Sequence, residues 1–168
     1  SLLRGYSAPV KLDYNYSDAD YAFLMANDND SFNRWEAGQQ FAVSCILRSI
    51  KAIQSAQEPP QHEDFCKALA NFFAQQAEAD PAYVAEMMIL PPETYLAELM
   101  TPIDVDAIYQ ARKLLQAAIA EKLEASLLSC VQQHMKTSRN KSYDYNAVEM
   151  GQRRLVAVCL SYLCVLDK

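Results

Sequence analysis

The hydrophobic periodicity of this chain changes once, after residue 16, and does not change back. Between Tyr6 and Tyr16, apolar and polar residues alternate strictly, which is the pattern of a β-strand with one buried face. A strand needs partners for its backbone amides and carbonyls, and no later segment repeats the alternation. We therefore expect a strand that pairs with neighbours outside this sequence. An extended arm lying over the helices is the alternative.

The rest of the chain shows the period of amphipathic helices. Ser17, Asp80 and Asp104 are placed to cap helices, and the paired prolines at 59–60 and 91–92 are placed to end them. The residues expected to face the core in the successive helices are Tyr21, Phe23, Leu24, Phe32, Trp35, Gln39, Ala42, Val43, Ile46, Ile50, Ile53, Phe65, Leu69, Phe72, Phe73, Met87, Met88, Tyr95, Leu96, Leu99, Ile108, Leu115, Ile119, Leu123, Leu127, Val131, Met135, Val148, Gly151, Leu155, Val158, Cys159, Tyr162 and Leu166.

This series of helices joined by short turns predicts a mainly α fold of stacked helical hairpins, as in an armadillo- or HEAT-like superhelix. The last helix is still strongly apolar where the sequence stops. In a stack of hairpins such a face would be covered by another layer, so we expect the superhelix to be incomplete.

Composition and charge exclude several classes of function. The net charge of −6 provides no broad positive field for a phosphate backbone, so we expect no nucleic-acid partner. No apolar run approaches the roughly 18 residues that span a bilayer, and the first residues lack the features of a secretory leader. The cysteines number five at irregular spacing, which is typical of reduced thiols packed in a cytoplasmic protein.

One segment begins like the helix of a zinc protease. In H-E-x-x-H the two imidazoles share a helix face and bind zinc while the glutamate activates water. Here His62 and Glu63 are followed by Cys66 in place of the second histidine. Because Phe65 and Leu69 mark an apolar inner face, we interpret His62 as a surface residue and Cys66 as a buried thiol.

The other candidates for chemistry are also explained by structural roles. Residues 27–31 begin like a calcium loop, but Asn33 stands where the loop needs glycine and Gln39 where it needs its closing glutamate. His134 is expected near the end of a long helix, where a cation interacts favourably with the terminal carbonyls. Neither a glycine-rich phosphate loop nor a nucleophile elbow occurs. We therefore expect no catalytic and no metal-binding residue in this chain, and the sequence does not identify substrate-binding residues.

Several segments resemble aminopeptidase N (alanyl aminopeptidase) of Gram-negative bacteria, a family of gluzincin zinc metallopeptidases. The dense matches are residues 4–12 (RGYSAPVKL), 13–18 (DYNYSD), 23–25 (FLM) and 32–39 (FNRWEAGQ), and the sparser ones are Leu90-Pro91, residues 97–99 (AEL), Ile103-Asp104, Ala107-Ile108 and Arg112. The family typically has phenylalanine where Tyr6 stands. Residues 50–85 and the last forty diverge, so the resemblance assigns no roles there.

The resemblance implies the end of one domain and the start of another. Such enzymes have a thermolysin-like domain that holds zinc through H-E-x-x-H and a further glutamate, then a small β-sandwich, then stacked helix pairs that close over the catalytic cleft. Residues 1–16 would be the last strand of the sandwich, and residues 17–168 the N-terminal part of the C-terminal helical domain. The zinc and the catalytic groups would lie in the parent's other domains, which are the expected partners together with peptide substrates.

The implied function is that of a non-catalytic part of a zinc aminopeptidase. Its helices would help enclose the active-site chamber in which the parent removes N-terminal amino acids from peptides. The alternative is a stand-alone helical scaffold for protein–protein interaction, which explains the helices equally well but leaves the strand unpaired.

Overall fold

The fold is built from helices throughout the part of the chain that the structure describes. The structure is a computed structural model, and it describes residues 16–138 and 146–166. Within these ranges the helices are α1 (Asp18–Asn27), α2 (Ser31–Gln54), α3 (Glu63–Gln76), α4 (Pro81–Met87), α5 (Glu93–Glu98), α6 (Val105–Ser138) and α7 (Ala147–Leu166). The predicted strand lies outside the described residues except for Tyr16, which begins no element. None of the helices in these ranges is both long and apolar enough to cross a bilayer.

The predicted capping residues begin the helices at the expected places. Ser17 Oγ accepts a hydrogen bond from the backbone N–H of Asp20 (3.2 Å), and the Asp20 carboxylate accepts one from the Ser17 N–H (2.9 Å), which completes a capping box. Asp80 accepts from the N–H of Tyr83 at 3.0 Å ahead of α4. Asp104 caps α6 by accepting from the N–H of the third residue beyond it, at 3.0 Å.

The end of α2 is formed by a residue of unusual backbone conformation and not by the prolines that follow. Ala56 has φ 51°, in the left-handed region. Its N–H donates to the Ile53 carbonyl at 3.0 Å, and the Gln57 N–H donates to the Ala52 carbonyl at 2.8 Å. This pair of bonds is the Schellman motif, in which the left-handed position usually belongs to glycine. The helix therefore ends before the prolines at 59–60 are reached.

Helix α6 packs against α2, α3 and α7, α4 lies between α7 and the pair formed by α2 and α3, and α1 packs on α2 and α3; the side chains buried among these helices form one core. Phe41 of α2 packs edge-to-face on Phe65 of α3, with ring centroids 5.2 Å apart. Gly38 lets α2 approach α4 closely, because a Cβ at this position would lie 2.6 Å from Met87 Sδ. The large side chains of the long helix that are fully buried follow the predicted register: Ile108, Leu115, Ile119, Leu123 and Leu127.

The predicted core register is wrong at the ends of several helices. Met135 near the end of α6 and Val148 at the start of α7 are 64% and 65% exposed. Phe32 at the start of α2 is exposed as well, and so is Phe23 within α1. Tyr95 and Leu99, which were also expected to face the core, are 38% and 45% exposed. The periodicity identifies an apolar face of each helix, but it does not show which residues of that face a neighbouring helix covers.

Side chains from three helices fix the connection between α4 and α5. Four consecutive backbone carbonyls, at residues 88–91, accept hydrogen bonds from outside the connection. Tyr162 Oη of α7 donates to the Met88 carbonyl at 2.6 Å. The side-chain amide of Gln39, on α2, donates to the Ile89 carbonyl at 2.9 Å. The guanidinium of Arg112, on α6, donates to the Leu90 carbonyl at 3.4 Å and to the Pro91 carbonyl at 2.7 Å. Because buried carbonyls are costly to leave unpaired, these bonds define how the short helices sit against the long ones.

Candidate functional site

The segment that begins like a zinc-protease helix is built into the core. His62 is only 9% exposed, so its interpretation as a surface residue is wrong. Its Nε2 lies 2.7 Å from Ser49 Oγ on α2, and its Nδ1 is buried without a hydrogen-bond partner among the described residues. This contact is not visible in the sequence, because Ser49 is thirteen positions away on another helix.

Burial sets the protonation of this segment. It lowers the pKa of His62 to about 4, with a further contribution from the nearby charge of Arg48. Cys66 is only 3% exposed, which confirms it as a buried thiol, and burial raises the pKa of that thiol to about 11. Glu63 stays outside, where its carboxylate accepts a hydrogen bond from Lys67 at 2.8 Å. Near neutral pH the segment thus presents a neutral imidazole and a protonated thiol.

These side chains do not assemble into a metal site. A thiolate, not a thiol, is the metal-ligating form of cysteine, and burial disfavours it at Cys66. Across the described ranges, no group of three or more His, Cys, Asp or Glu side chains is arranged to hold a metal ion. The acidic turn before α2 is used for the backbone instead, since Asp28 accepts from the N–H of Asp30 and Asp30 accepts from the N–H of Phe32, both at 2.9 Å.

A large groove lies between the end of α3 and the two last helices. Its volume is about 910 Å³, and its walls are the α3–α4 turn, the second half of α6 and the first half of α7. We call it the α6–α7 groove. Its apolar floor includes Phe73 and Leu155, while Gln133, Gln152 and Glu78 supply polar groups. Side chains of this kind can hydrogen-bond a polar or peptide-like ligand, but they include no pair of acid and base groups in contact.

One of the residues singled out in the sequence lies at this groove. His134 lines the wall formed by α6, together with Cys130 one turn earlier. Helix α6 packs along α7, whose own Cys159 is fully buried. The sequence placed Cys159 on the buried stripe of its helix, and its burial confirms this.

These features define a class of protein: in the residues described, a domain of packed helices that carries a groove between its last helices. The chain belongs to the family described as "Domain of unknown function (DUF3458_C) ARM repeats", whose model matches residues 18–168. The expected fold of stacked helical repeats is thereby confirmed.

Relatives of known name extend over nearly the whole chain. It is 30% identical over 166 residues to aminopeptidase N of Escherichia coli (strain K12), an alignment that covers 97% of this chain and 18% of that protein. It is 34% identical over 163 residues to aminopeptidase N of Caulobacter vibrioides, with the same two coverages. The chain therefore spans less than a fifth of the length of these relatives.

A solved structure shows the same arrangement of helices. The structure is that of Legionella pneumophila aminopeptidase A in complex with aspartic acid. It superposes with a TM-score of 0.75 at 25% sequence identity, covering 96% of this chain and 19% of that one. The resemblance to aminopeptidases inferred from the sequence is thus supported independently by sequence and by fold.

Proposed function

We propose that this chain is a non-catalytic part of a larger zinc aminopeptidase that removes N-terminal amino acids from peptides. The proposal rests on how much of each protein the alignments cover. The similarity to two proteins named aminopeptidase N extends over 97% of this chain but over only 18% of each of those proteins. A stretch of that size accounts for one region of such an enzyme. In this proposal residues 1–16 are the last strand of a β-sandwich domain, and residues 17–168 open the C-terminal helical domain.

The zinc and the residues that act on the peptide would then belong to the other domains of the parent. The donor chemistry of the described residues supports this division, since Cys66 is held as a thiol and the Nε2 of His62 is engaged by Ser49. The helices would enclose the active-site chamber, excluding folded proteins and bulk water while admitting short peptides. Zinc would supply an activated water there. The five free thiols support a reducing, cytoplasmic location.

The decisive test of this proposal is the coding sequence upstream of Ser1. We expect an in-frame H-E-x-x-H motif followed by a further glutamate codon in the same open reading frame. The protein translated from that whole frame should release amino acids from aminoacyl p-nitroanilides, and chelation of zinc should abolish the release. The present chain alone should release none. An upstream frame without a zinc motif, or zinc-dependent turnover by the chain alone, would contradict the proposal.

A helical scaffold that binds other proteins is the second candidate. It is favoured by exposed apolar residues where α6 begins: Val105 and Tyr109 lie one helical turn apart, and Ile103 precedes them. Apolar groups exposed together often mark interaction sites. In the aminopeptidase proposal these residues meet the parent's own domains, whereas a scaffold would use them for a separate protein. The reading frame upstream of Ser1 distinguishes the two.

A further inference from the structure

The α6–α7 groove has the size of a ligand-binding site. Its volume of about 910 Å³ lies within the range that is typical of ligand pockets. Three separate parts of the chain form its walls, which are the α3–α4 turn, the second half of α6 and the first half of α7. Phe73 and Leu155 at its floor are only 4% and 2% exposed. Because these residues belong to the packed core, the groove is a fixed feature of the fold.

Side-chain amides lie on all three walls of the groove. Gln75 belongs to α3, Gln133 to α6 and Gln152 to α7. Each amide can both donate and accept hydrogen bonds, and so can a peptide backbone. A short extended peptide between the walls can therefore pair its N–H and C=O groups with these amides. Small residues such as Ala125, which also lines the groove, leave room for it beside the helices.

The charge of the groove favours a cationic ligand. Glu78 carries the one carboxylate among the groove-lining residues that the structure describes, and none of those residues is a lysine or an arginine. The chain as a whole has a net charge of −6, so its field adds to the attraction that Glu78 exerts on a cation. A lysine or arginine side chain of a peptide would meet an opposite charge here, whereas an acidic side chain would be repelled.

We propose that the α6–α7 groove binds short peptides that carry a basic side chain. The inference rests on the proposed function for its class of ligand, since peptides are what the parent enzyme would act on. The bound peptide lies extended between α6 and α7, with its basic side chain beside Glu78 and its backbone on the glutamine amides. An apolar side chain of the peptide packs on the floor formed by Phe73 and Leu155.

The test is a titration of the isotope-labelled full chain with a small peptide, followed by NMR chemical shifts. The probe is a tripeptide with lysine between two leucines, blocked at both ends so that the lysine is its only charge. We expect saturable shifts of the backbone amides of Gln133 and Gln152. A second probe with glutamine in place of the lysine should bind about threefold more weakly, because an exposed ion pair contributes a modest free energy. High salt should reduce this difference.

Two substitutions with matched controls locate the bound peptide. Glu78→Gln should weaken binding of the lysine probe about threefold and leave the glutamine probe unaffected. Glu98→Gln removes an equal charge at the exposed end of α5 and should leave both nearly unchanged. Ala125→Trp fills the groove from an exposed position of α6 and should abolish binding of both probes. Its control is Ala157→Trp, at an exposed position of α7 that does not line the groove.

Three results would overturn the proposal: equal affinity for the two probes, no saturable shift at the groove, or unchanged binding by a folded Ala125→Trp. So would shifts at the groove that grow with the concentration of the chain alone, because a second copy would then occupy it. If Ala125→Trp fails to fold, as judged by circular dichroism, the two probes and Glu78→Gln decide the question. None of these results depends on the reading frame upstream of Ser1, so failure here is distinguishable from failure of the proposed function.

Discussion

The buried histidine predicts a specific loss of stability in mild acid. His62 would have a pKa near 6.5 in the unfolded chain, and burial lowers its pKa to about 4 in the folded protein. Each unit of difference corresponds to about 1.4 kcal/mol, so protonation of His62 opposes folding by up to about 3 kcal/mol.

The sign follows from which state binds the proton more tightly. The unfolded chain takes up this proton at higher pH than the folded protein does, so stability must fall as the pH decreases. The difference in proton binding at His62 lowers the free energy of unfolding by almost nothing above about pH 7.5 and by about 2 kcal/mol at about pH 5. Below about pH 4 it lowers the free energy of unfolding by the full amount. Arg48 contributes in the same direction, and Asp18 partly opposes it.

The assay is unfolding by urea, monitored through the circular dichroism of the helices, at about pH 7.5 and at about pH 5. His62→Gln keeps an amide that can hydrogen-bond Ser49 but cannot take up a proton in this range. The variant should be less stable than the wild type near neutral pH, yet should lose about 2 kcal/mol less on acidification. That difference is about 1 M in the urea midpoint for a slope of about 2 kcal/mol per M.

The second histidine provides the control. His134→Gln, on the groove wall of α6, should retain the full acid-dependent loss of the wild type. Equal losses in the wild type and His62→Gln would refute the reasoning. So would an NMR titration in which the His62 imidazole is protonated near pH 6.5 in the folded protein.

Two further substitutions test the local geometry. Ala56→Gly should raise the free energy of unfolding by about 0.5–1 kcal/mol, because glycine adopts the left-handed conformation at the end of α2 without steric cost; a lower urea midpoint would contradict this. Tyr162→Phe should lower the melting temperature, since it leaves the buried Met88 carbonyl unpaired at a cost of about 1–3 kcal/mol. Tyr95→Phe, on the exposed side of α5, is its control and should change stability by less than about 0.5 kcal/mol.

The helix boundaries were largely predictable because capping is local. Ser17, Asp80 and Asp104 each bind a backbone N–H three residues further along, so the interaction is visible in the sequence. The end of α2 was not predictable in the same way, because Ala56 occupies a position that usually holds glycine.

The core was predictable in the middle of helices and not at their ends. Leu115, Leu123 and Leu127 are buried as the periodicity predicts, whereas Met135 on the same stripe is exposed. Periodicity shows which face of a helix is apolar. It does not show how far the neighbouring helix extends, which decides whether that face is covered.

By itself, the sequence determined the class of fold, the order of the helices and the resemblance to aminopeptidases, since each depends on patterns within short segments. Only the tertiary structure decided that Ser49 meets His62, and that α2, α6 and α7 all bind the connection between α4 and α5. The physical reason is that these contacts depend on the distances and rotations between packed helices. A helix has the same local pattern whichever neighbour it meets, so its partners emerge only when the whole core is assembled.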